Sequence, residues 1–320
     1  MTKNKNIAVI GLGNMGRHHA RIYNEIPSAN LVAVCDIQET LVKDHQEKYN
    51  CQGYTDIEKM LNECQIDAVS IAAPSCFHFE IAKLLINKGI HVLIEKPITD
   101  STDSALKLIE LAQKKNIVLT VGHIERFNPA VLKLKELLAK GELGEIISVS
   151  TQRISPFPNQ IKDADVLIDL AVHDIDIISY LFGRQPDEVT VNTGKALNNL
   201  QNDYAGLLLK YGDRHGFAEV SWIAPIKVRS LKMIATKGYV ELDYMNQELT
   251  VHYSSYSNVV DSNNASSIIF EPVKTEKINI KKQNMLQTEL ENFLNSIHTN
   301  TQPFVSAQQA YNALKIALEA

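Results

Sequence analysis

Cysteine is scarce in this chain of 320 residues: there are four, Cys35, Cys51, Cys64 and Cys76, and no two form a C-x-x-C pair. That spacing excludes a zinc knuckle and a disulfide framework and leaves reduced thiols, with Cys76 alone near a candidate site. No metal site is expected. Long apolar runs are missing too, for the amino-terminal MTKNKN carries no apolar leader and no later run could span a bilayer. A cytoplasmic protein without a membrane partner is therefore expected. A basic excess is also lacking: 32 Lys and Arg stand against 37 Asp and Glu, net −5, which leaves no electrostatic footprint for nucleic acid. No internal repeat is visible. Otherwise the composition, 45% hydrophobic and 22% charged, is that of a globular protein long enough for two cores.

What is present begins at Asn6, with NIAVIGLGNMG. Ile7 to Ile10 read as a buried parallel strand, and from Asn14 onward a helix runs through Met15, His18, Ile22 and Tyr23. The junction is G-x-G-x-x-G: Gly11 permits the turn, Gly13 lets a diphosphate approach the backbone, and Gly16 lets the helix lie close to the sheet. Free N–H groups at Gly13, Asn14 and Met15 and the helix dipole would then face an anion. A second apolar run, Leu31 to Cys35, ends in Asp36, twenty positions after Gly16, where a carboxylate accepts from the ribose hydroxyls of the adenosine half and repels a 2′-phosphate. The spacing predicts NAD as cofactor; the competing reading makes Asp36 the cap of the next helix.

From residue 7 to about 121 the strand runs IAVI, LVAVC, AVSIAA, IHVLI and IVLTV alternate with amphipathic helical text, the grammar of a doubly wound parallel α/β sheet. A helix within Arg126 to Leu143 leads into β-rich text with turns at Tyr211-Gly212-Asp213 and Thr236-Lys237-Gly238. Such text predicts a large, open, mainly antiparallel sheet. One helix, Val166 to Phe182, interrupts it, two more close the chain, and residues 254–267 read as an exposed loop. The expected division is a Rossmann domain over residues 1–122 and a substrate-binding and oligomerisation domain over 123–320, whose last helices can pack back on the first domain. The half-apolar open sheet predicts a homodimer or homotetramer.

In such a fold functional residues follow strands, and Ala73-Pro74-Ser75, Glu95-Lys96-Pro97 and Gly122-His123 do so. Lys96, at the end of a buried strand, can hold a hydroxyl or carbonyl oxygen, unless it is a surface lysine at a turn. In the lone helix Asp169 and His173 are four apart and Asp176 three further on, among apolar neighbours. A polar pair so placed suggests general-base chemistry, the plain alternative being a core histidine bonded to Asp169.

Gly11-x-Gly13-x-x-Gly16, Glu95-Lys96-Pro97 and Asp169-x-x-x-His173, in this order and over essentially the whole chain, resemble the glucose-fructose oxidoreductase and inositol dehydrogenase family (Gfo/Idh/MocA). The resemblance implies an NAD-dependent oxidoreductase with Lys96, Asp169 and His173 as catalytic trio. It also implies a cofactor lined by Ala73, Pro74, Ser75, His78, Glu95, Lys96 and Arg126. The stretches from Gly122-His123 to Pro129, from Arg153 to Pro156 and VLIDLAVHDIDII look most like nucleotide-sugar dehydrogenases. This finer likeness implies oxidation at C3 of a UDP-N-acetylhexosamine, with His123 and Arg153 beside the trio as substrate contacts. Lys162, Lys227 and Arg229 could meet its diphosphate or be solvated, and Trp222 is a sugar platform or core. An inositol-type polyol dehydrogenase, an NAD-dependent glycosidase and a non-catalytic NAD-binding sensor stay open as rivals. Whichever applies to the enzyme readings, Lys96 and His173 must serve one cleft.

Overall fold

The structure, a computed structural model, describes residues 4–158, 165–197, 200–260 and 266–319. The chain divides into two compact units, one of residues 1–127 with 284–318, the other of residues 128–283 with the last two residues.

In the first unit six strands form a sheet: β1 (Lys5–Ile10), β2 (Ala29–Cys35), β3 (Gln52–Tyr54), β4 (Ala68–Ile71), β5 (His91–Ile94) and β6 (Leu119–Val121). Their order is β3-β2-β1-β4-β5-β6 and every pairing is parallel. The strand order reverses direction between β1 and β4, which puts a crevice at the carboxyl ends of those two strands. The central strands are apolar along their length because helices cover both faces. Five helices connect them: α1 (Gly16–Glu25), α2 (Glu39–Tyr49), α3 (Ile57–Glu63), α4 (His78–Asn87) and α5 (Thr102–Lys115). Their ends follow local chemistry. Asp56 accepts from the Lys59 N–H at the start of α3, and Asn116 ends α5 in the left-handed conformation.

The strand β3 has no counterpart in the sequence reading, since Gln52-Gly53-Tyr54 is too short and too polar to register as an apolar run. The first helix starts at Gly16, two residues later than the glycine pattern suggested, and its inner face carries His19, Ala20, Ile22 and Tyr23, so His18 lies outside. The closing helices α8 (Met285–Thr299) and α9 (Ala307–Glu319) follow the second unit in sequence, yet Leu290, Phe293 and Leu294 of α8 share a core with Ile7, Val9 and Tyr23.

In the second unit α6 (Pro129–Ala139) precedes a mixed sheet of eight strands. These are β7 (Ile146–Ile154), β8 (Glu188–Gly194), β9 (Tyr204–Tyr211), β10 (Arg214–Ser221), β11 (Val228–Ala235), β12 (Gly238–Asp243), β13 (Glu248–Tyr253) and β16 (Lys274–Lys277). Only β7 and β10 pair in parallel; the other pairings are antiparallel. One face buries Leu207, Leu209, Val220, Val149, Leu231, Met233 and Val240, with α6 and α7 (Val172–Phe182) against the sheet. The other face leaves Leu208, Phe217 and Ile234 exposed. Of the stretch read as a loop over residues 254–267, residues 256–260 and 266–267 belong instead to two antiparallel strands, β14 (Tyr256–Val260) and β15 (Ser266–Phe270), and residues 261–265 lie outside the described residues. Backbone pairing there overrides a polar composition that gives no alternation. No helix among the described residues is long and apolar enough to cross a membrane.

Candidate active site

In the first unit the turn after β1 is fixed by its neighbours. Gly11 N–H donates to the Cys35 carbonyl (2.8 Å), and Leu12 N–H donates to Asp36 Oδ2 (2.6 Å). The other oxygen of Asp36 accepts from Gln38 N–H (2.8 Å), while α2 is capped by Gln38 without a side-chain bond. The helix-capping alternative for Asp36 therefore falls: the carboxylate ties the end of β2 to the glycine turn and still has lone pairs to offer. The amides of Gly13, Asn14 and Met15 have no acceptor among the described residues, and no side chain caps α1. A Cβ added at Gly13 would meet nothing within 4 Å. Orphaned N–H groups at a helix start, beneath open space, fit an anionic diphosphate. Beside Asp36 stands Ile37, 90% exposed, and after β4 stands Phe77, 56% exposed. Neither belongs to a motif that the sequence displays; large apolar side chains left in water at strand ends suit the face of a heterocycle.

Ala73, Pro74 and Ser75 follow β4 and lie at the surface or half-buried, open to a ligand. His78 does not face outward: it is buried, with its ring nitrogens on the carbonyls of Ala73 and Pro97. Lys96 is half-buried and joined to Pro97 by a cis peptide bond. After β6, His123 and Arg126 are both buried, Arg126 within a short helical turn, Ile124–Phe127.

The position of Glu95 departs from a cofactor contact. It is buried, one oxygen 2.8 Å from His19 Nε2 and the other accepting from Lys96 N–H (3.2 Å). Burial alone would raise its pKa, but the His19 bond and charge, aided by Lys96, outweigh it and hold the carboxyl below its ordinary range. Gly122 leaves the room for this carboxylate, since a Cβ there would sit 3.0 Å from it. A second carboxyl, Glu289 of α8, is buried with neither oxygen partnered among the described residues. Burial first, then the Glu95 charge, drives its pKa well above the ordinary carboxyl range. Neither His19 nor Glu289 stands out in the sequence, where only an unusual polar residue on the inner face of each helix could have marked it.

A testable consequence follows from the sign of that shift. The unfolded chain releases the Glu289 proton above the ordinary carboxyl range while the folded chain keeps it, so stability is lost as pH rises from that range toward the folded pKa. The thermal midpoint of Glu289→Gln should therefore fall less than that of the wild type as the pH is raised above the ordinary carboxyl range, by roughly 2–4 °C or more. Parallel curves in scanning fluorimetry would show Glu289 to be ionised in the fold.

In the second unit the lone helix is not uniform. Leu167–Ala171 is a π-helical turn, and α7 continues from it as an ordinary α-helix. Asp165 starts it, its Oδ1 accepting from the N–H groups of Leu167 (3.0 Å) and Ile168 (3.2 Å). Single π-turns cost hydrogen-bond geometry and recur at functional sites. Asp169 lies in the π-turn and His173 in the first turn of α7; both are half-buried, whereas Asp174 and Asp176 are buried. Asp176 is thus not on the accessible stripe.

Arg153, read as a substrate contact, is buried and forked onto Asp174, Nε donating to Oδ2 (2.8 Å) and Nη2 to Oδ1 (3.3 Å), with the Tyr244 ring over its guanidinium at 5.3 Å. Two directed bonds to a buried carboxylate make it a fastener of α7 to β7. Neither group stands solvated. Trp222 is fully buried, its ring edge-on to Phe157 at 5.6 Å, and so belongs to the core. Arg229 donates to the Ile154 carbonyl (3.0 Å), Lys227 is exposed, and Lys162 lies outside the described residues. Among the described residues no group of three or more His, Cys, Asp or Glu side chains could hold a metal ion.

Comparison with known proteins assigns both units. Residues 5–123 match the oxidoreductase family with an NAD-binding Rossmann fold, and residues 131–241 match the C-terminal domain of the same family. A UDP-N-acetylglucosamine 3-dehydrogenase of Acidithiobacillus ferrooxidans is 29% identical over 312 residues, which is 97% of this chain and 94% of that protein. Its solved structure superposes with a TM-score of 0.86 at 27% identity, covering 99% of this chain and 97% of that one. An inositol 2-dehydrogenase of Corynebacterium glutamicum is 31% identical over 199 residues, 61% of this chain and 59% of its own. The chain is an NAD-dependent oxidoreductase and belongs to the Gfo/Idh/MocA family.

Proposed function

We propose that the chain oxidises a secondary alcohol of a nucleotide sugar, at C3 of a UDP-N-acetylhexosamine, giving a 3-keto sugar and NADH. The observation that carries this reading is the full-length likeness to a UDP-N-acetylglucosamine 3-dehydrogenase, while the inositol dehydrogenase aligns over only 61% of this chain. A ligand with a nucleoside diphosphate needs the second unit to be alike as well as the first.

In this reading NAD supplies the acceptor for hydride. The amides of Gly13, Asn14 and Met15 and the carboxylate of Asp36 hold it, with Ala73, Pro74 and Ser75 along the next strand end. His173 takes the hydroxyl proton, Lys96 polarises the oxygen, and Asp169 orients the imidazole. The experiment is nicotinamide absorbance measured against UDP-N-acetylglucosamine, other UDP-sugars, free N-acetylglucosamine and inositol, with the product examined by mass spectrometry for loss of two hydrogens. Turnover of inositol and of no UDP-sugar overturns the substrate assignment; tight NAD binding with no turnover of any sugar favours a sensor.

Cofactor choice tests the first unit separately. Asp36→Asn removes a charge that accepts from hydroxyls and repels phosphate, so KM for NAD should rise about tenfold and the preference over NADP should shrink by at least that factor. Unchanged kcat/KM ratios for the two cofactors would remove Asp36 from the site. We also propose a homo-oligomer formed through the open sheet face, where Leu208 and Phe217 are cross-strand neighbours and exposed beside Glu219 and Lys232. Apolar groups flanked by both signs of charge suit a self-complementary pairing. A single-chain mass in light scattering would refute it.

A further inference from the structure

In the second unit the parallel strands β7 and β10 end side by side, where Ser155 N–H donates to the Ser221 carbonyl (2.9 Å). Other chain ends gather at the same place. Strand β11 begins there, with Val228 opposite Ile154, and Trp222 N–H donates to the Asp203 carbonyl (2.8 Å). The carbonyl of Asn202 accepts from Val166 N–H (3.1 Å), and its Nδ2 donates to Asp165 Oδ2 (3.0 Å), at the start of the π-turn that carries Asp169. The backbone on either side is held rather than loose. Asp203 is fully buried, its Oδ1 accepting from Ala196 N–H (2.8 Å) and its Oδ2 from Leu197 N–H (2.6 Å), while its own N–H donates to the Gly194 carbonyl (3.0 Å). On this frame Leu197 and Leu200 stand 69% and 86% exposed, and just past β10 Ile223 and Ile226 stand 41% and 62% exposed. Ala224 and Pro225 separate the isoleucines, and Lys227 follows them, exposed and without a hydrogen bond or ion pair among the described residues.

We propose that Leu197, Leu200, Ile223 and Ile226, with Lys227, form the seat of the nucleoside diphosphate half of the substrate, the aliphatic side chains lying against the base and the lysine meeting the diphosphate. This rests on the function proposed above and adds where the nucleotide binds. The chemistry of the rim selects its ligand. Aliphatic groups left in water beside a site gain by covering a planar, weakly polar face, whereas to a polyol they offer no hydrogen-bonding group. A cation at the edge of that patch suits a ligand whose charge is tethered to its planar part, as a diphosphate is tethered to a base through ribose. Rigidity points the same way. Amides fixed on a buried carboxylate hold the stretch that bears the leucines, so binding has less conformational freedom to remove.

Calorimetric titration of UDP into the full chain saturated with NADH reads the seat without turnover. The wild type should bind UDP, and Leu200→Ser combined with Ile226→Ser should weaken that binding about 10-fold, the worth of two aliphatic contacts with a base. Lys227→Met should weaken it by about 3- to 10-fold and flatten its dependence on salt. These side chains are exposed, so the thermal midpoints should stay within about 2 °C of the wild type. With UDP-N-acetylglucosamine the aliphatic variant should raise KM about as much as it weakens UDP and keep kcat within about twofold, because the contact is the same before and during hydride transfer. No binding of UDP at millimolar concentration, or equal affinity in the wild type and the aliphatic variant, overturns the seat. So does an aliphatic variant whose mass in light scattering falls while its UDP affinity holds, since the rim then belongs to a second copy. If UDP binds, the aliphatic variant weakens it and no UDP-sugar is oxidised, the seat stands and the functional reading fails. Should the variant not fold, NMR of the wild type with labelled Leu and Ile methyl groups decides: contacts with the base protons of UDP support the seat, and their absence overturns it.

Discussion

Replacing His173 by alanine should lower turnover by about 10² to 10⁴, the usual worth of a positioned general base, and leave NAD affinity within about twofold. The separation of the two effects follows from where the residue is placed. His173 belongs to the second unit, in the first turn of α7 beyond the π-helical turn, while the glycine turn and Asp36 belong to the first. An imidazole that takes a proton can be replaced in part by one in solution, so added imidazole should restore part of the activity of His173→Ala and none of that of Lys96→Met. If both groups act on one oxygen, the double variant should be little worse than the poorer single one, since residues acting as a unit lose their effects together. Undiminished turnover in His173→Ala, measured by nicotinamide absorbance with UDP-N-acetylglucosamine, would remove it from the reaction. Multiplicative losses would assign the two residues to separate steps.

The parts of this site that the sequence made legible are those where the backbone does the work. A strand that stops in G-x-G-x-x-G has few other ways to fold, and Asp36 at the next strand end needs no partner beyond that turn. Side-chain partnerships were not legible in the same way, because they depend on groups far apart in sequence. Glu95 could be placed at the end of β5, but its inward turn is set by His19 on α1, and the raised pKa of Glu289 on α8 is set by burial first and then by the Glu95 charge. Arg153 could be read as solvated or substrate-facing only while Asp174, twenty-one residues on, was not known to take its guanidinium. The π-turn that carries Asp169 leaves no mark in hydrophobic period, because its wider turn is absorbed within a stretch where Leu167, Ile168, Leu170, Ala171 and Val172 are nearly continuous. Polar strands such as β14 and β15 failed for the opposite reason: nothing in SSYSNVV alternates, and their pairing comes from each other.

The three glycines of the turn should fail in different ways, and that difference separates a fold requirement from a ligand requirement. At Gly16 an added Cβ would lie 1.7 Å from the Gly11 carbonyl oxygen, a backbone atom that cannot yield without opening the turn. At Gly11 the backbone has φ +86°, and a Cβ would lie 2.5 Å from the Ala73 amide nitrogen. Gly16→Ala should therefore cost more than about 4 kcal/mol, lowering the thermal midpoint by roughly 8–16 °C or preventing folding, and Gly11→Ala should be impaired in the same direction. Gly13 is the contrary case. Its Cβ would enter open space, so Gly13→Ala should melt within about 2 °C of the wild type, the range of a surface substitution. Yet the methyl group would stand where a diphosphate must approach the amides of Gly13 and Asn14, and NAD affinity should fall by about 10- to 100-fold. Scanning fluorimetry and a fluorescence titration with NADH measure the two quantities on the same samples. A Gly13→Ala protein that binds NADH as the wild type does would mean that the diphosphate does not lie over this turn, and the open space above it would then need another occupant.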